Sequence, residues 1–309
     1  MTLLITHQAA LDHVTPPGHP ERVDRLRVIH QALADMDLSR EEASEASDAQ
    51  IARCHPQSYI DALAEAAPTE GVVQLDADTH MSPGSLRAAR LAAGGAIRAV
   101  NAVIAGETPN AFVAMRPPGH HAETARPLGF CMFGTVAIAA KHAMEVHGLD
   151  RVAIVDFDVH HGNGTQDLLW HEDRALFVSS HQVPLWPGTG MASEQGAHGN
   201  VMNVPLAPRT GGAEIRRRME AAILPRLDAF APQLVLVSAG FDAHRDDPLA
   251  ELDWTADDFA WITERLCDLA DAHAGGKLVS SLEGGYDLDA LAASVVAHVD
   301  VMRRRGDGG

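Results

Sequence analysis

Six short apolar runs, at 3–6, 111–115, 152–155, 175–179, 234–238 and 278–281, constrain the fold of this chain more than any other feature. They are continuous rather than alternating. A strand with one wet face alternates, whereas a continuous apolar strand is covered on both faces. The segments between the runs carry helical spacing, at 21–34, 58–66, 86–104, 136–147, 213–230, 255–273 and 288–302. Strands joined through helices predict an α/β fold with a mainly parallel sheet and helices on both faces. Ser82-Pro83 reads as an N-cap followed by proline at the first helical position. No repeat, linker or composition break divides the sequence, so residues 1–309 read as one domain with 303–309 as a frayed tail. Arg303, Arg304 and Arg305 there complement a helix C-terminus.

The polar segment after each run is more informative still. RPPGHHA comes after Met115, DFDVHHGNGTQ after Val155, SSHQVPLWPGTG after Val178, SAGFDAH after Val237 and SSLEGGYD after Val279. Ligands in open α/β sheets bind outside the carboxyl ends of strands, so separate loops of this kind can build one pocket. Residues two apart on an extended segment share a face, which lets Asp156, Asp158 and His160 converge on one point. Carboxylate and imidazole together suit zinc, and an unfilled coordination position makes such a metal catalytic. The competing reading is an ordinary polar strand end, which two carboxylates and two histidines in six positions make a poor description.

A site with ligands on one loop needs another from elsewhere, and Asp242 in SAGFDAH is the best candidate; a helix cap or a surface acid is its alternative role. Two aspartates and a histidine leave room for a water and a carbonyl oxygen, so hydrolysis is the natural reaction. His120-His121 supplies the proton transfer that amide hydrolysis requires. Adjacent imidazoles titrate as a pair, and one can serve as base while the other stays cationic. Tyr286, after Glu283-Gly284-Gly285, can donate a hydrogen bond to a developing oxyanion. Phe130 and Trp186, beside Gly129 and Pro187, offer aromatic walls for an apolar substrate stem, with core packing as the alternative.

Composition bounds the partners. The formal charge of -18 argues against nucleic acid, which needs clustered Lys and Arg, and favours cationic ligands or simple solubility. Cys54, Cys131 and Cys267 are too few and scattered for a disulfide framework. The sequence has no membrane-length apolar run, and its start, MTLLITHQ, lacks the features of a signal peptide, so a cytoplasmic location is expected.

With RPPGHH, DFDVHHGNGTQ, GFDAHRDDPLA and LEGGYD in one order, the chain resembles the histone deacetylase family, particularly its class II and bacterial members. The likeness runs from HPER at His19 to Tyr286 and beyond. It implies the arginase-deacetylase fold, a single domain with a sheet of about eight strands. It implies zinc on Asp158, His160 and Asp242, with iron as a substitute. His121 is then general base and acid, His120 its electrostatic partner oriented by Asp156, and Tyr286 the group that polarises the acetyl carbonyl. Phe130 and Trp186, with Gly129, look like the walls of an acetyl-lysine tunnel. The resemblance also implies potassium, held by the Asp156 side chain, the Ser179 hydroxyl and the carbonyls of Asp158, His160 and Ser180.

The chain departs from the family at three places. Trp186 stands where Phe or Tyr is usual, and Gly134-Thr135 replaces a frequent Asn-Asn. Asn163 stands where class I members carry aspartate, which is expected to leave His121 without a second carboxylate. The expected substrate is an acetylated lysine in a peptide or protein, or a small acetylated amine, with neither nucleic acid nor membrane as partner; a homo-oligomer is compatible. Acetylpolyamine deacetylation is the alternative, and polyamine-selective relatives carry glutamate where Leu249 stands. A dimanganese ureohydrolase of the arginase type and a non-catalytic acyl-lysine binder are the other classes to be told apart.

Overall fold

The apolar runs become the inner strands of one parallel sheet. The computed structural model describes residues 1–307. Its elements begin with β1 (Leu3–Thr6), α1 (Val23–Ala32), β2 (Ser39–Glu42), α2 (Asp48–Ile51), α3 (Gln57–Ala66), a small hairpin of β3 (Val73–Gln74) and β4 (His80–Met81), α4 (Ser85–Ile104) and β5 (Asn110–Val113). They continue with α5 (Thr135–Val146), β6 (Val152–Asp156), α6 (Asn163–Leu169), β7 (Ala175–Gln182), β8 (Val201–Leu206), α7 (Gly212–Arg218), α8 (Leu224–Phe230), β9 (Leu234–Ala239), α9 (Ala256–His273), β10 (Leu278–Leu282) and α10 (Leu288–Asp307).

The eight strands of the main sheet lie in the order β2-β1-β5-β10-β9-β6-β7-β8, and every neighbouring pair is parallel. Helices α1, α10, α9 and α8 pack in succession, and α4 packs on α5. The strands that lead into polar motifs are β5, β10, β9, β6 and β7, which are contiguous in the sheet. Their carboxyl ends therefore lie side by side, at the point where the chain order reverses, which is where an open α/β sheet forms a crevice. Beneath them the core is aromatic: Phe157, Phe241 and Phe259 are fully buried, with Phe241 and Phe259 5.2 Å apart.

The two strands that the apolar pattern missed are the edges. β2 reads Ser-Arg-Glu-Glu and is largely solvent-facing, so it has no hydrophobic signature; charge on an edge strand also discourages pairing with another chain. β8 contains Pro205, which an edge position tolerates. The helix expected at 213–230 is interrupted by a π turn over Met219–Ile223. Pro225 explains it, because a proline inside a helix lacks the N–H and its ring crowds the preceding turn.

Two further expectations are corrected. Ser82 does not cap α4, which starts at Ser85 after Gly84; its hydroxyl instead accepts from Val14 N at 2.8 Å and donates to the Asp12 carbonyl at 3.0 Å. The tail is helical rather than frayed through residue 307, and Arg305 pairs with Asp268 and Asp271 on α9; Gly308 and Gly309 lie outside the described residues. Among the described residues no helix is long and apolar enough to cross a membrane.

Helix α4 approaches the 44–46 segment closely enough for Ala46 N to donate to the Arg90 carbonyl at 2.9 Å. A Cβ on Gly94 would overlap the Ser44 carbonyl oxygen, whereas one on Gly95 would meet only side-chain atoms at 3.2–3.3 Å. Gly94→Ala is expected to lower stability by roughly 1–3 kcal/mol despite alanine's better helix propensity, and Gly95→Ala to stay within about 1 kcal/mol of wild type. Urea unfolding of both variants checks this, and equal midpoints would remove the close approach as the reason for Gly94.

Candidate active site

The loop after β6 folds around its own carboxylates. Asp158 N donates to Asp156 Oδ1 at 3.1 Å and His160 N to Asp158 Oδ1 at 2.9 Å, the local side-chain to backbone pattern that aspartate favours. The expectation that Asp156, Asp158 and His160 converge holds for only two of them. Asp158 and His160 meet Asp242 from the loop after β9, with ligand atoms all within 4.8 Å of one another. Asp156 is not part of that group and pairs with His120 at 2.9 Å. The chain leaves strict alternation as it leaves the sheet, which separates the two aspartates.

The donor set fits a cation. His160 Nδ1 lies 3.3 Å from Asp158 Oδ1 and 3.1 Å from Asp242 Oδ2. Burial alone would lower the pKa of His160, but hydrogen bonds to Asp158 and Asp242 carry it up to about 10. Burial and the neighbouring Asp158 push Asp242 up to about 7. The pair of carboxylates thus demands positive charge at Nδ1, where a proton and a metal ion are alternatives. Space agrees: a Cβ on Gly240 would overlap Asp158 Oδ2 and one on Gly284 would overlap Asp242 Oδ2, so glycine leaves both carboxylates the room they occupy. Two carboxylates and one imidazole suit zinc or iron better than calcium, which takes oxygen alone.

The loop after β5 brings the histidine pair beside this triad. Gly119 N and His120 N donate to Glu283 Oε2 at 2.7 and 3.2 Å, and the His120 and His121 ring centroids are 3.9 Å apart. Their environments drive them apart. For His120, burial favours the neutral ring, but Asp158 and Asp156 outweigh it and hold the pKa well above the ordinary value. For His121, burial and the His120 charge act together and hold it well below. The two rings are therefore pushed in opposite directions, the division expected of an acid and base pair. His121 Nδ1 meets Asn163 Oδ1 at 2.7 Å.

Tyr286 is placed by the loop after β10. Arg25, buried on α1, donates to the carbonyls of Glu283 and Gly285 at 2.5 and 2.6 Å and lies 4.8 Å from the centre of the Tyr286 ring. Tyr286 N donates to Asp247 Oδ2 at 2.7 Å. Burial raises the phenol well above its ordinary pKa, so it remains a donor.

These groups open into a cavity of about 190 Å³ lined by His121, His160 and Tyr286 at its base and by Gly129, Phe130, Leu185, Trp186, Leu249 and Asp78 along its walls. Phe130 stands edge-on to Tyr286 at 5.9 Å, and Trp186 edge-on to His121 at 4.7 Å. Gly129 adopts φ 54°, and a Cβ there would overlap both His121 and Trp186. Only glycine leaves the wall intact.

Ser179 lies opposite Asp156 in the β6/β7 register, and Ser180 is buried next to it. His181 Nε2 contacts the Gly190 carbonyl at 2.9 Å and so carries the hydrogen. Its Nδ1 must then accept from Ser179 Oγ at 2.9 Å. Ser179 keeps its lone pairs, as an oxygen ligand of a cation requires.

Sequence reasoning missed the supports. Arg116, Arg25 and Glu21 form a fully buried ion cluster, with Arg116 Nη2 on Glu21 Oε2 at 2.7 Å and Arg25 Nη1 on Glu21 Oε1 at 3.0 Å. Glu283 and Asp247 hold backbone N–H groups of the loops after β5 and β10. For Arg116, Asp247 and Glu283 the available signal was a charged residue in or beside a strand-end motif whose chemistry the reaction did not need; Glu21, just before α1, and Arg25, on it, carried no such signal.

Comparison with known proteins agrees with this geometry. Residues 19–302 match the family model described as the histone deacetylase domain. The chain is 40% identical over 282 residues to a histone deacetylase-like amidohydrolase of Pseudomonas aeruginosa, covering 90% of this chain and 73% of that protein. It is 38% identical over 298 residues to a probable deacetylase of Archaeoglobus fulgidus, covering 94% and 82%. The crystal structure of the HDA15 HD domain superposes with a TM-score of 0.92 at 34% identity, covering 97% of this chain and 88% of that one. The sheet order, the loop cluster and these likenesses lead to one conclusion: this chain belongs to the histone deacetylase family.

Proposed function

We propose that this protein is a zinc-dependent amidohydrolase that removes acetyl or similar acyl groups from lysine side chains or related amines. The observation that carries it is the His120–His121 pair, with ring centroids 3.9 Å apart, beside the Asp158, His160 and Asp242 cluster in a cavity lined by Phe130 and Trp186. A cavity lined by Phe130 and Trp186 suits an apolar substrate stem, with the two rings against its methylenes. Zinc held by Asp158, His160 and Asp242, or iron in its place, would supply Lewis acidity toward the carbonyl and toward water. Potassium is assigned to Asp156, Ser179 and the carbonyls of Asp158, His160 and Ser180.

The chain's own residues do the rest. His121, neutral and lining the cavity, accepts the water proton at Nε2 and returns it to the departing amine. His120, cationic and oriented by Asp156, stabilises the negative charge that builds on the attacked carbonyl. Tyr286 donates a hydrogen bond to the same oxygen. The cluster of three ligands is the one such group among the described residues, which supports a single-metal hydrolase over a dimanganese ureohydrolase. A complete acid, base and oxyanion set argues against a mere acyl-lysine binder. We place the protein in the cytoplasm, in keeping with its three free cysteines.

Acetylpolyamine hydrolysis is the second reading, favoured by Asp78 on the cavity wall and by the net charge of -18. Leu249 lines the same cavity and offers a distant ammonium no charge. The preferred substrate is therefore acetyl-lysine. Leu249→Glu is expected to raise kcat/KM for acetylspermidine relative to an acetyl-lysine peptide by roughly 10-fold or more. Strong wild-type preference for acetylspermidine would withdraw the lysine assignment.

Two variants test the chemistry. Asp242→Asn is expected to lose most bound zinc and nearly all hydrolysis, because two protein ligands hold the metal poorly; stoichiometric zinc by elemental analysis with full turnover would remove Asp242 from the ligand set. Tyr286→Phe is expected to retain zinc and lose about 100-fold or more in kcat, the scale of one oxyanion donor. An unchanged kcat would take the phenol out of the mechanism.

A further inference from the structure

Asn163 in place of an aspartate leaves His121 with no carboxylate at its Nδ1. The carboxylate is one residue further out. Asn163 Nδ2 donates to Glu123 Oε1 at 2.8 Å while Asn163 Oδ1 faces His121 Nδ1 at 2.7 Å. The three side chains form one line running from the buried base of the cavity to half-buried Glu123. We propose that Glu123 is a positioning residue that locks the Asn163 amide with its oxygen toward His121, and thereby fixes the imidazole tautomer in which Nε2 is unprotonated. This rests on the reading of His121 as the base.

An amide has an oxygen that accepts and a nitrogen that donates, and the two ends occupy nearly the same space. Asn163 alone could therefore present either end to His121. Oxygen toward Nδ1 requires Nδ1–H and leaves the lone pair on Nε2. The flipped amide would donate to Nδ1 and place the hydrogen on Nε2, which disables the ring as a base. A carboxylate at Glu123 accepts only, so the flipped amide would set two oxygens against each other. Glu123 thus excludes the inactive orientation, and the partner of an imidazole nitrogen decides where its proton sits.

The local fold serves the same contact. Residues 123 and 126 close a tight turn through Glu123 N to the Arg126 carbonyl at 3.0 Å. Thr124 N and Oγ1 both donate to Asp167 Oδ2, at 2.8 and 2.6 Å. Asp167 lies four residues after Asn163 on α6, so both stand on one helix face. The helix that carries the amide also grips the turn that carries its lock.

Glu123→Gln is the sharpest test, because it keeps the shape and allows either amide orientation. In the zinc-loaded protein it is expected to lower kcat roughly 10-fold with little change in KM, while the Thr124 to Asp167 bonds keep the thermal midpoint near wild type. Long-range 1H–15N spectra of histidine-labelled protein, with His121 assigned through His121→Ala, should show Nδ1–H in wild type and a mixture of tautomers in Glu123→Gln. In an Asn163→Asp background the same substitution should cost nothing or restore rate, since aspartate needs no orienting and loses a like-charge neighbour. An unchanged kcat and tautomer in Glu123→Gln, or an equal loss in the Asn163→Asp background, would overturn the proposal. Wild-type protein that hydrolyses no acyl-lysine or acetylpolyamine overturns the function instead, and the spectra then decide the role of Glu123 alone.

Discussion

Four carboxylates that never reach water, Asp156, Asp158, Asp242 and Glu283, set the terms for the rest of the structure. An unpaired buried carboxylate costs several kcal/mol, so each must find partners. The loops supply them from backbone N–H groups. Those of Asp158, Val159 and His160 serve Asp156, Asp242 and Asp158 in turn, Gly284 serves Asp158, and Gly119 and His120 serve Glu283. The strand-end loops are wrapped on anions. The remaining negative charge is met by imidazole, which raises the pKa of both His120 and His160, and a metal ion can take the place of the proton on His160.

A second buried cluster carries this order outward. Glu21 binds both Arg116, at the root of the histidine loop, and Arg25, which grips the carbonyls before Tyr286. One anion therefore couples the loop bearing His120 and His121 to the loop bearing Tyr286. Removing Glu21 would leave two buried guanidinium groups uncompensated, so this cluster fixes geometry rather than adding much net stability. Helix α1, far from the cavity in sequence, becomes part of the site through it.

The candidate site was legible in the sequence because each of its proposed reacting groups lies in a strand-end motif. The six inner strands were visible as continuous apolar runs, and parallel order came from the helices between them. The edges were not: Ser39–Glu42 has no buried face, so solvent erased its pattern. Spacing also placed Asp156 with Asp158 and His160, since a strand rule cannot foresee that an aspartate will cap the backbone two residues on and turn the chain. Asn163 is the clearest case of what pattern cannot supply. Its replacement of an aspartate suggested a lost charge, yet Glu123, forty positions earlier, stands behind it. That contact depends on how α6 meets the loop after β5, and no local spacing encodes it.

The same division separates what the protein does from what it acts on. Asp156, Asp158, His160, Asp242 and the two histidines of the β5 loop are buried and hydrogen-bonded, so replacing any of them strands a charge or a polar group. The walls are held differently. Trp186 is 40% exposed, Leu249 is tied by one backbone bond to Asp247, and Asp78 offers the cavity a carboxylate beside Thr79, whose hydroxyl accepts from Phe130 N. Residues of this kind can change with small cost to folding. The polar cluster at the cavity is therefore held firmly by the fold, while Trp186, Leu249 and Asp78 are side chains that the fold constrains less.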